Sequence, residues 1–86
     1  MEKDRNTRRK AFEQAALLAR YHSLTPREQE VLPLLVSGLL NKQVGAELGI
    51  AEYTVQIHRG HIMRKMEADS FATLVRMAER LSPDSP

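Results

Sequence analysis

The stretch from Asn41 to Met66, NKQVGAELGIAEYTVQIHRGHIMRKM, leaves a folding chain few options. Val44, Leu48, Ile50, Val55 and Ile62 recur at spacings that put them on shared inner faces of two helices. Gly49 falls where the first of these must stop, the place where a left-handed residue ends a helix with least strain. Gly45 lies one turn earlier, where a crossing helix would tolerate little or no side chain. The pattern predicts a short helix over 42–48, a tight turn and a second helix from about Glu52. Two helices joined in this way form a helix-turn-helix, whose second helix characteristically enters the major groove of DNA.

At 3.6 residues per turn, Val55, Arg59, Ile62 and Met66 share one side of that second helix, with His58 at the edge. Tyr53, Gln56, Ile57, Gly60, His61 and Arg64 share the other. From Tyr53 to Met66 there are two arginines, one lysine and two histidines but no acid. Glu52, at the helix start, stands where the macrodipole favours a negative charge. A merely solvated face usually mixes signs. An acid-free one after a tight turn points to nucleic acid.

The net charge of the 86 residues is only +2, so this basicity is local and a polybasic coat is excluded. The length suits one small domain whose modest core three or four helices must share. Without cysteine there is no disulfide and no thiolate chemistry. The longest apolar run, 31–36, is short and contains Pro33, so no membrane span is expected, and the charged N-terminus is no signal peptide. His58 and His61 stand at a spacing metals can use, but no third ligand accompanies them, and no metal or cofactor is expected. No nucleophile elbow, glycine cradle or paired-carboxylate pattern occurs, so the chain is read as no enzyme.

Residues 4–21 lack Gly and Pro and are rich in Ala and Leu, which predicts a helix with a stripe of Phe12, Ala16 and Ala19, Ala15 beside it, and Leu17, Leu18 and Tyr21 widening the apolar surface; it would pack back on the domain or form half of a coiled coil. Arg8-Arg9-Lys10 reads first as solvated charge, with a phosphate-touching arm as the alternative. Thr25-Pro26-Arg27-Glu28 is a strong helix start, combining a cap, a proline at the first position and a capping box. That helix should run to Ser37 with Val31, Leu32, Leu34 and Leu35 in the core, bent at Pro33 and ended by Gly38. Asn41 is the expected cap of the next helix, with Lys42 beside free amide groups that suit a phosphate. After a turn at 67–70, a last helix over 71–81 carries Phe71, Leu74, Val75, Met77, Ala78 and Leu81. They span a wider arc than the ~100° one core contact needs. The surplus suggests a second subunit, with full burial of a terminal helix as the alternative. Residues 83–86 read as a frayed tail.

Taken together, LTPREQEVL (24–32), GLLNKQVGAELGI (38–50) and TVQIHRGHIMRKM (54–66) resemble the LuxR/FixJ/NarL-type DNA-binding domain. The resemblance covers residues 24–81 and is nearest to the output domains of FixJ-like two-component response regulators. It implies an all-α fold, a four-helix domain over 24–82 preceded by a linker helix over 1–23. It implies double-stranded DNA as partner, a two-fold dimer on DNA and sequence-specific transcription control. A phosphorylatable receiver would precede it, RNA polymerase is a possible contact, and the setting would be the bacterial cytoplasm and nucleoid. The family's base-contacting places fall on Gln56, Ile57 and Gly60. Phosphate contacts fall on Lys42, Thr54, His58, Arg59 and Lys65, with Arg64 joining them from the same acid-free segment. The family's dimer contact maps to the last helix, at Leu74, Val75, Met77 and Ala78. The helix before Leu24 could pack on that last helix and occlude the dimer surface.

Four positions depart from the family pattern. Ala51 replaces the usual serine cap, Gln56 a frequent lysine, Gly60 leaves a base-reading place without a side chain, and Glu67 stands where glycine is common. Two other functions fit a small helical domain: a promoter-binding region-4-like domain of a sigma factor, and a protein-interaction module using the wide face of 71–81.

Overall fold

The computed structural model describes residues 2–82, with side chains from residue 7. The terminal stretch 83–86, read above as a tail, lies outside the described residues. Five helices and no strand make up the described part: α1 (Glu2–His22), α2 (Pro26–Val36), α3 (Asn41–Leu48), α4 (Glu52–Lys65) and α5 (Phe71–Leu81).

Local chemistry sets each boundary. At the start of α2 the Thr25 hydroxyl accepts from the Glu28 amide at 3.2 Å, and the Thr25 amide donates to Glu28 Oε1 at 2.8 Å, completing the capping box. The helix stays continuous across Pro33, and Gly38, at φ 100°, follows its end. The cap of α3 is Leu40, not Asn41. The Gln43 side chain reaches back to accept from the Leu40 amide at 2.8 Å, which moves the boundary one residue earlier. Gly49 ends α3 in the left-handed conformation, φ 69°. Ala51 starts α4 without any side-chain cap. Ser70 caps α5 by accepting from the Thr73 amide.

Gly45 is tight against the backbone that leads into α4. A Cβ there would lie 2.6 Å from the carbonyl oxygen of Ile50, in the turn between α3 and α4. The Ile50 amide also donates to the Gly45 carbonyl at 2.9 Å. The turn thus closes directly on the α3 backbone, and α4 leaves at an angle that a methyl group would spoil.

The core is built from Leu17, Leu24, Val31, Leu32, Leu35, Val44, Val55, Ile62, Met66 and Leu74. Glu28 is the one buried charge among the described residues, at 2 % exposure. Burial opposes its ionisation. The Lys65 ammonium at 2.8 Å, the Thr25 amide and the Thr25 hydroxyl outweigh that and hold its carboxyl below the usual range. His61 Nδ1 lies 3.5 Å from the other carboxylate oxygen. One carboxylate of α2 therefore gathers two side chains from the last two turns of α4.

Of the apolar surface expected on α1, the Leu17 and Tyr21 side meets the domain and the Phe12 end of the stripe faces solvent. Phe12 is 75 % exposed and Leu17 is buried, with Tyr21 partly so. The inward positions recur at the helical repeat from Leu17, and the dense small residues face away. α1 lies against α5: the Gln14 amide donates to the Arg80 carbonyl at 3.3 Å, and Arg80 pairs with Glu13 at 3.9 Å. Arg20 also pairs at 3.1 Å with Glu67, the residue just past α4. Glu67 does adopt the left-handed conformation, φ 56°. It bears a strain of about 1 kcal/mol that glycine would avoid.

Two outcomes are expected. Gly45→Ala should lower stability by about 1–3 kcal/mol in a urea melt. That is so although alanine is about 1 kcal/mol better in a helix interior; an unchanged midpoint would remove the steric role of Gly45. For Glu28, a depressed folded pKa means the contribution is present above the unfolded carboxylate value of about 4.3 and lost as pH falls through the folded value. Glu28→Gln should therefore lower stability at pH 7 by roughly 1–3 kcal/mol, and the gap between the two proteins should close in acid.

Candidate nucleic-acid interface

The interface is organised by the rotation of α4 about its own axis. Val55, Ile62 and Met66 are fully buried. The opposite side holds Tyr53, 71 % exposed, and Ile57, 41 % exposed, together with exposed Gln56, Gly60 and Arg64. Tyr53, Ile57, Gly60 and Arg64 follow one another at steps of four, three and four residues, a single stripe on a helix. The expected base-contacting residues Gln56, Ile57 and Gly60 thus share one outward face.

The expected phosphate residues divide. Lys42 and Arg64 are exposed, and Thr54 is half-buried at the α4 start. Lys42, in the first turn of α3, borders a shallow cleft with Asn41, Glu52, Arg59 and Phe71. Arg59 is half-buried, its guanidinium 4.4 Å above the Phe71 ring centroid. That contact holds it against α5 on the inner edge of α4. His58 is half-buried, as its edge position suggested, and its Nδ1 is enclosed without a partner among the described residues. Lys65 departs from expectation: its ammonium is bound to the buried carboxylate of Glu28. Lys65 thus neutralises a desolvated acid, with 31 % of its side chain still exposed.

Leu74, expected at the dimer contact, is fully buried within its own subunit. Val75, Met77 and Ala78 are partly exposed. Val75 and Ala78 open into an apolar groove of about 530 Å³ whose other walls include Leu18, Tyr21, Leu32 and Pro33. The end of α1 therefore borders the surface expected to pair.

What the sequence reading missed is the Glu28 cluster. Glu28 was visible there only as half of a capping box. Its partners Lys65 and His61 lie more than thirty residues away, and no local spacing announces them.

Among the described residues no group of three or more His, Cys, Asp or Glu is placed to hold a metal ion. No helix among them is long and apolar enough to cross a membrane.

Comparison with known proteins agrees with this geometry. The chain is 52 % identical over 80 residues to Nodulation protein W of Bradyrhizobium diazoefficiens, covering 93 % of this chain and 35 % of that protein. It is 54 % identical over 61 residues to the response regulator protein TodT of Pseudomonas putida, covering 71 % of this chain and 27 % of that one. The structure superposes on the response regulator StyR with a TM-score of 0.87 at 44 % identity, over 93 % of this chain and 40 % of StyR. On full-length FixJ from B. japonicum the TM-score is 0.70 at 39 % identity, over 81 % of this chain and 36 % of FixJ. The chain thus spans about a third of the length of these relatives. Residues 22–78 match the luxR family of bacterial regulatory proteins, the family to which this chain belongs.

Proposed function

We propose that this domain binds double-stranded DNA with α4 in the major groove and serves as the output domain of a transcriptional response regulator. One observation carries the reading. The outward face of α4 presents a tyrosine and an isoleucine to solvent along one stripe with Arg64, with no acid beyond Glu52 at its first residue. Large apolar side chains held outward on a basic helix suit a groove where base edges and thymine methyls alternate with phosphate. The names of two relatives, both response regulators, support a receiver-linked role over a sigma-factor one.

Within that reading, Gln56 is placed to bond adenine N6 and N7 together, and Ile57 to contact a thymine methyl. Arg64 and Lys42 are exposed cations that would meet phosphate, with Thr54 at the start of α4. Two copies would pair through Val75, Met77 and Ala78 on a two-fold site. An N-terminal receiver would act through α1, whose docking beside Val75 and Ala78 narrows the pairing surface. RNA polymerase would be met on DNA, in the bacterial cytoplasm.

Selection of duplexes from a random pool, followed by titration, tests the assignments. Gln56→Ala should lose about 1–3 kcal/mol of discrimination at one base pair while leaving random-duplex affinity unchanged. An equal loss on every sequence would contradict a base-reading role. Arg64→Ala should weaken binding to all duplexes and reduce the salt slope by about one unit; an unchanged slope would take Arg64 out of the phosphate set.

A further inference from the structure

Gly60 has no reason within the protein to be glycine. It lies inside α4 with an ordinary helical backbone, and its φ is not positive. A Cβ placed on it would meet nothing within 4 Å. At Gly45, by contrast, the same atom would strike the turn. An exposed glycine inside a helix is less stable than alanine in the same place, and here no packing makes up the difference.

Its position says what could. Gly60 sits in the middle of the outward stripe, one turn from Gln56 and Ile57 on one side and from Arg64 on the other. All three are exposed and would project past a bare backbone. From this vacancy within a ring of projecting side chains, we propose that Gly60 is a specificity-determining residue that works through its missing side chain. It lets the backbone of α4 seat against the base edges of the major groove, closer by about the length of one carbon–carbon bond, 1.5 Å. The gap also admits a group as large as a thymine methyl, between the reach of Ile57 and that of Arg64. Without the gap, a Cβ would meet the groove floor first and lift Gln56 and Ile57 off their bases, because direct readout needs hydrogen-bond distance. Phosphate contacts from flexible lysine and arginine chains would tolerate the lift.

The inference rests on the DNA-binding reading above and adds depth of seating as its own claim. The discriminating feature is an opposition of signs. Gly60→Ala should raise the melting temperature of the free protein by a few degrees, as a domain of this size shifts roughly 4–8 °C per kcal/mol. The same change should weaken binding to the selected duplex about tenfold or more, and leave random-duplex affinity and its salt slope unchanged. Gly60→Leu should weaken specific binding further, in proportion to the bulk. Specific affinity equal to or above that of the unsubstituted chain in Gly60→Ala would overturn the seating claim and leave the DNA reading intact. Failure of the unsubstituted chain to bind any duplex would overturn both.

Discussion

The burial of Val55, Ile62 and Met66 fixes how α4 is rotated, and everything the domain offers to a partner follows from that rotation. Each such side chain contributes about 1.5–3 kcal/mol by leaving water. Turning the helix by half a revolution would expose all three and bury Gln56 and Arg64 in their place. Against that, the exposed pairs such as Arg27–Glu30 contribute at most about 1 kcal/mol. Apolar packing, not surface charge, aims the recognition face.

Two smaller constraints refine the aim. The Gly45–Ile50 contact sets the angle at which α4 leaves α3, because the turn touches backbone where a side chain would otherwise stand. The Glu28 carboxylate then fixes the far end of α4 through Lys65 and His61. A buried acid is stable there only while both its helix cap and its cation stay in place. The helix is thus held at its start by geometry, along its length by packing and near its end by charge, which leaves its outer side facing solvent.

Much of this was legible beforehand, because the decisive signals are local. Thr25-Pro26-Arg27-Glu28 and Gly38 bracket α2, and Gly49 separates the two motif helices by its tolerance of positive φ. The wheel of α4 sorted inner from outer residues because Val55, Ile62 and Met66 recur on one side of it. What escaped depends on distant partners. Phe12 stood on the expected apolar stripe of α1, yet it is Leu17 that is buried, while Gln14 bonds α5. Lys65 looked like any cation of a basic helix until Glu28 was seen beneath it. Leu74 could not be told from its neighbours on a wide apolar arc, since the arc alone does not say which third of it meets the core. Glu67, standing where glycine is common, adopts the left-handed conformation, with Arg20 of α1 as its side chain's partner.

The most direct test of the account is to titrate the intact chain with its selected duplex and follow every backbone amide by NMR. The account predicts shifts concentrated at Tyr53, Gln56, Ile57, Gly60 and Arg64, with Lys42 beside them, while Val31 and Leu35 stay still. Shifts centred instead on the groove between α1 and α5 and absent from α4, or no shifts with any duplex, would contradict it.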